Sequence, residues 1–154
     1  MLTDERPRYG CHLLGVDAVD LDAVITALEA GLPYRAFESL WNAVGISQKK
    51  LAEAVRINPR ILARRKQEER FHADESERLF RIAMVVERAI ELMQGNAGTA
   101  AAWLMKPAHA LKGKRPLDYV DTELGAQAVM RLMERFEHGA FGGEPVDAWV
   151  HRDP

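Results

Sequence analysis

Ile46-Ser47-Gln48-Lys49-Lys50-Leu51-Ala52-Glu53-Ala54-Val55-Arg56-Ile57-Asn58-Pro59-Arg60-Ile61-Leu62-Ala63-Arg64-Arg65-Lys66 is the stretch whose reading decides the fold. Ser47 is a strong N-cap residue, so a helix is expected to begin at Gln48 and run to Val55. Leu51 and Val55 are one turn apart and face inward, while small Ala52 lets a second helix cross closely. Arg56-Ile57 makes the turn, with Ile57 directed inward. Asn58 then caps a new helix, Pro59–Arg65, whose first position is Pro59, where a missing N–H costs nothing. Ile61 and Leu62 anchor it. Arg60, Arg64, Arg65 and Lys66 are left on its outer side and end. Two short capped helices joined by a tight turn, the second with a basic outer face, make a helix-turn-helix.

A helix of this size fits the DNA major groove, where Arg can pair bidentately with guanine O6 and N7. Gln48, Lys49 and Lys50 stand at the start of the first helix, where free N–H groups and positive charge suit a phosphate. The candidate DNA-contacting set is therefore Ser47, Gln48, Lys49, Lys50, Arg56, Asn58, Arg60, Arg64, Arg65 and Lys66. The competing reading, a solvated basic face on an ordinary helical hairpin, explains the charges. It does not explain their register with cap, small residue, turn and cap-proline.

Outward from this stretch the chain reads as helical throughout. Leu21, Val24, Ile25 and Leu28 recur at helical spacing, closed by Gly31-Leu32-Pro33. Phe37, Leu40, Trp41 and Val44 line a second helix ended by Gly45. Ser76–Met93 is a longer helix, with Asp74 and Glu77 in the positions of a capping box. Ala97–Met105 stops before Pro107, and Pro107–Pro116 reads as a turn-rich connection. A last helix runs from about Glu123 to Glu137, and Gly139 stops it. No alternating run of five or more residues supports a strand. The expected fold is all-α: an N-terminal extension with a short helix (1–30), a helix-turn-helix domain (31–95), a small helical module (96–142) and a tail (143–154).

A length of 154 residues suits one domain or two small helical subdomains with a real core. With 47% apolar and 29% charged residues, wholesale disorder is excluded. The net charge of −2 hides a sharp partition. Residues 1–30 carry two Arg against six acids, and residues 117–154 three Arg against eight. Residues 47–70 carry eight Lys/Arg against three acids, so the basic charge is concentrated around the helix-turn-helix.

Cys11 is the single cysteine, which excludes an intrachain disulfide and favours a reducing, cytoplasmic compartment. No uncharged apolar run reaches the roughly 20 residues of a membrane helix, and the acidic N-terminus is unlike a secretory signal. His12, His72, His109, His138 and His151 are scattered without metal-ligand spacing. Phosphate-cradling loops and a nucleophile-elbow motif are absent. Neither enzyme activity, nor a metal, nor a cofactor is expected.

The residues after the helix-turn-helix carry a resemblance. Glu75-Ser76-Glu77-Arg78-Leu79-Phe80-Arg81-Ile82-Ala83 follows the basic helix. Ala102-Trp103-Leu104, Pro107, Ala110-Leu111, Gly113, Pro116-Leu117-Asp118, Thr122, Gly125, Val129, Leu132 and Gly139 follow in order further on. From about Gly31 to Phe141 the chain resembles the Xre/MbcA/ParS-type antitoxins. The helix-turn-helix is a weakly specific part of that likeness, and the C-terminal run is much more specific.

The resemblance implies a type II antitoxin paired with a RES-domain, NAD-depleting toxin. Its C-terminal module would hold the toxin, and a helix-turn-helix dimer would repress the shared operon at its operator DNA. The alternative is a stand-alone transcriptional regulator whose C-terminal module dimerises or binds a ligand. Two features depart from the family: residues 1–30 lie outside the likeness, and Lys112-Gly113-Lys114 is more basic than the usual small turn. The candidate toxin-contacting set is Trp103, Lys112, Lys114, Arg115, Asp118, Trp149, His151 and Arg152. Set against it, Trp103 suits core packing and Asp118 suits capping. Trp149 either folds back on the chain's own helices or, with Val146–Arg152, enters the toxin's substrate cleft.

Overall fold

The computed structural model describes residues 12–16 and 20–137. Asp20 opens α1 (Leu21–Ala30), its Oδ1 accepting the Ala23 N–H at 2.7 Å. Gly31 ends α1 at φ +91°, where a side chain would collide with the Phe71 carbonyl. α2 (Tyr34–Val44) follows and stops at left-handed Gly45. α3 (Gln48–Ala54) is capped by Ser47 and α4 (Pro59–Glu68) by Asn58. The twenty-residue α5 (Ala73–Leu92) leads to α6 (Ala97–Met105), which is capped by Asn96. A 3-10 turn at His109–Leu111, the second after one at His12–Leu14, and the one-turn α7 (Pro116–Tyr119) precede α8 (Glu123–Glu137). Among the described residues there is no strand, and the two isolated bridge pairs, Pro33 with Arg70 and Ala108 with Lys114, only pin loops. The all-α architecture stands.

α5 is the axis on which the rest is assembled. α1, α6 and α8 all pack along it, and α2 bears on both α5 and α6. An apolar stripe along α5 explains why: Leu79, Ile82, Ala83, Val86 and Ala89, at helical spacing, are all buried. One continuous core joins them to Phe37, Leu40 and Leu51 on one side and to Leu104, Leu117, Val129 and Met133 on the other. Tyr34, Phe37 and Phe71 form an aromatic cluster, with Phe71 5.5 Å from Tyr34 and 6.1 Å from Phe37.

Three expectations need correcting. The cap of α5 lies earlier than Asp74 and Glu77: the His72 N–H donates to Glu75 Oε1 at 2.8 Å. Glu75 takes that part because Arg65 holds the same oxygen at 2.7 Å in a buried pair, which leaves Asp74 to pair with Arg78 at 3.4 Å. The connection at 107–116 is more ordered than a run of turns, because Pro116 starts α7 and buries Leu117. The stripe of α1 is only partly internal: Val24 is buried, but Leu21 and Ile25 are 53% and 41% exposed.

Candidate nucleic-acid and toxin interfaces

α3 and α4 are held to the body by their apolar sides. Leu51 and Val55 are fully buried, Ile57 and Leu62 nearly so, and Ala52 is the small buried residue at the crossing. The α3 end is a Schellman motif: the Ile57 N–H reaches the Ala52 carbonyl at 2.9 Å and the Arg56 N–H reaches Glu53 at 3.0 Å. Glycine usually fills the left-handed position of this motif. Here Arg56 holds it at φ +59° and presents an exposed guanidinium. Asn58 Oδ1 accepts the Ile61 N–H at 2.9 Å, and Ser47 Oγ accepts the Lys50 N–H at 3.2 Å, so both caps act through their side chains.

Between the helices lies an open cleft of about 710 Å³. Lys49, Arg56 and Lys66 converge on it, with Gln48, Asn58 and Tyr34 as polar lining and Glu53 as its acid. Gln48 Nε2 donates to Tyr34 Oη at 3.3 Å. Burial, aided by Glu38, pushes the Tyr34 phenol above its ordinary value, so it stays protonated at neutral pH. Tyr34 and Glu53 were not foreseen as part of this face. Tyr34 falls twelve residues before the stretch read as helix-turn-helix, and no local pattern ties it there.

Of the ten predicted DNA contacts, Ser47, Lys49, Lys50, Arg56, Asn58, Arg60, Arg64 and Lys66 are exposed and Gln48 is half-buried. Arg65 is not on this face. It is 5% exposed, its Nε pairs with Glu75 at 2.7 Å, and its terminal nitrogens meet His72 Nδ1 at 3.1 Å and Glu68 at 3.4 Å. The hydrogen bond to Glu75 raises its pKa further. Burial alone would push the Glu75 carboxyl up, but the bonds from Arg65 and the His72 N–H outweigh it and leave the pKa lowered. Arg65 therefore braces α4 against α5 and is removed from the DNA-contacting set.

In the C-terminal module, Trp103 is also buried, at 6% exposure, with Phe136 edge-on at 5.8 Å. It packs the core and offers no surface to a partner in this fold. Arg115 and Asp118 bind one another in two short bonds of 2.6 and 2.8 Å across the first turn of α7. Lys112 and Lys114 are exposed on the turn closed by the Ala108–Lys114 bridge, with the Lys114 ammonium 5.8 Å from the Tyr119 ring centroid. Trp149, His151 and Arg152, with the whole of 138–154, lie outside the described residues. A second cleft of about 530 Å³ lies where α1, α5 and α8 meet, floored by Phe80, Met84 and Met130.

Among the described residues no group of His, Cys, Asp and Glu could hold a metal ion, and no helix is long and apolar enough to cross a membrane.

A helix-turn-helix with an exposed basic face, whose supporting helix also carries a second helical module, defines a class of two-part DNA-binding proteins. Comparison with known proteins places the chain within that class. Residues 23–84 match the antitoxin Xre-like helix-turn-helix domain, and residues 88–139 match the antitoxin Xre/MbcA/ParS C-terminal toxin-binding domain. An Antitoxin Xre of Yersinia enterocolitica is 30% identical over 129 residues, covering 83% of this chain and 87% of that protein. An Antitoxin Xre of Photorhabdus laumondii is 34% identical over 113 residues, 73% and 76% of the two chains. A protein of Sphingobium sp. named Prs ADP-ribosylating antitoxin is 24% identical over 143 residues, 87% and 80% of the two. The chain belongs to the Xre/MbcA/ParS family of type II antitoxins.

Proposed function

We propose that this antitoxin neutralises a RES-domain, NAD-depleting toxin by direct binding and represses its own operon as a homodimer. It acts by binding, without catalysis or cofactor, in the cytoplasm where such a toxin would find NAD. The observation that carries the reading is the pairing in one chain of an exposed basic helix on a capped, braced helix-turn-helix with a family-matched toxin-binding module. The functional division follows 31–95 for DNA and 96–142 for toxin, with α5 serving both.

On the DNA side, Lys49, Arg56 and Lys66 line the cleft and, with exposed Lys50 at the start of α3, suit phosphates, while Arg60 and Arg64 project from α4 toward base edges. A homodimer follows from size: one short recognition helix spans too few base pairs to specify an operator, and two half-sites repair that. On the toxin side, Lys112 and Lys114 offer positive charge to an acidic surface, and the pre-formed Arg115–Asp118 pair presents a fixed polar edge. The tail segment Val146–Arg152, with Trp149 as its aromatic anchor, extends that contact into the toxin's cleft.

The test is binding of the full chain to the DNA upstream of its own gene, followed by fluorescence anisotropy across salt concentrations. Arg60→Ala and Arg64→Ala are each expected to lose about 1–3 kcal/mol of discrimination between cognate and unrelated duplex. Equal binding to both duplexes by the wild-type protein would remove the repressor role. For the toxin, deletion of residues 143–154 should weaken neutralisation in co-expression. Full neutralisation by the truncated chain would sink the tail's part in it.

A further inference from the structure

The structure resolves which side of α4 faces away from the body, and it is not the side with the most charge. At about 100° per residue, half-buried Ile61 and buried Leu62 and Arg65 fall in one sector about 100° wide that marks the core direction. Gln67 lies within about 10° of the opposite pole, and Arg60 and Ala63 within about 30° of it. Arg64 and Lys66 sit about 70° and 90° away from that pole, on either side of it. Gln67 is exposed, and its amide has no hydrogen-bond partner among the described residues. The nearby acid Glu68 is turned aside by its contact with Arg65 at 3.4 Å.

We propose that Gln67 is a base-reading, specificity-determining residue that recognises adenine, acting on the same face as Arg60. The inference rests on the DNA-binding reading above. A glutamine amide offers one acceptor and one donor, which match adenine N6–H and N7 in the major groove, as Arg60 matches guanine O6 and N7. Ala63, between them, is small enough to admit close approach and to contact a thymine methyl. Arg60 and Gln67 are seven residues apart, about 10.5 Å of helix rise, which spans about three base pairs of 3.4 Å. The half-site therefore carries a guanine and, about three base pairs away, an adenine. Being neutral, Gln67 contributes nothing to counterion release, so its role is separable from that of the surrounding cations.

The test is selection by the full-length protein from a duplex library with a randomised central region, then anisotropy on the recovered duplex and on its single-base variants. The wild type should recover an adenine at that spacing. Gln67→Ala should bind the recovered duplex about 5- to 140-fold more weakly, equalise all four bases at that position only, and leave the salt slope unchanged. Gln67→Lys, which keeps the helix and its exposure, should move the preference at that position toward guanine. An unchanged base preference in both variants overturns the proposal, as does a loss uniform across all duplexes. Failure of the wild type to enrich any sequence overturns the proposal together with the DNA-binding reading, whereas enrichment independent of residue 67 overturns this proposal alone.

Discussion

At the scale of single residues, the Arg65–Glu75 pair shows how a charge inside a basic run can serve the fold. Both side chains are 7% exposed, and their bond is 2.7 Å long. Removing one partner of a buried pair leaves the other uncompensated, so Arg65→Ala is expected to lose about 3–5 kcal/mol of stability in urea unfolding. Exposed Arg64→Ala should lose almost none. The pair also sets a pH dependence. The Glu75 carboxyl is held below its ordinary value of 4.5 by Arg65 and the His72 N–H. Its contribution is complete above 4.5, where folded and unfolded chains are both ionised. It fades as the pH falls from there through the lower folded value, because the unfolded chain takes up the proton first. Glu75→Gln should flatten that acid-side loss, as measured by urea midpoints between pH 6 and pH 3. A slope as steep as wild type would place the acid sensitivity elsewhere.

At the scale of elements, two motif residues gain a physical reason. Ser76 is fully buried, accepts the Leu32 N–H at 2.8 Å and donates to the His72 carbonyl at 2.8 Å, so it ties the α1–α2 loop to the start of α5. Gly125 lies where the first turn of α8 crosses the Tyr119 carbonyl, and any side chain there would overlap that oxygen. Its N–H is taken by Thr122 Oγ1 at 3.0 Å. Gly125→Ala should therefore force α8 off α7 and lower stability by about 3 kcal/mol or more in thermal unfolding, although alanine is the better helix former. Asn58→Ala, which removes only the cap of α4, should lose about 1 kcal/mol.

Most element boundaries around the helix-turn-helix were legible because Gly31, Gly45, Ser47 and Asn58-Pro59 punctuate the chain locally. The cap at His72 and Glu75 was not legible, because the acid is claimed by an arginine ten residues earlier, a tertiary preference that no window contains. For the same reason Arg65 and Trp103 read as contact residues: side-chain type reveals chemistry, and burial is decided by the packing of α4 on α5 and of α6 under α8. Tyr34 entered the DNA-side cleft only through the fold.

At the scale of the whole molecule, α5 couples the two halves. Its N-terminal part carries Glu75 and Ser76, which brace the helix-turn-helix, and its length backs α6 and α8 of the toxin-binding module. Arg81 extends the link, meeting Glu123 at the start of α8 at 3.1 Å. We propose that this molecule protects the cell's NAD by occupying a RES-domain toxin. The most direct test is to express the adjacent gene product alone and together with this chain, and to assay cellular NAD and co-purification from the same cultures. NAD should collapse with the neighbour alone and be preserved when both are present, and the two proteins should emerge as one stable complex. NAD that collapses equally in both cultures, or a neighbour that never depletes it, would overturn this reading.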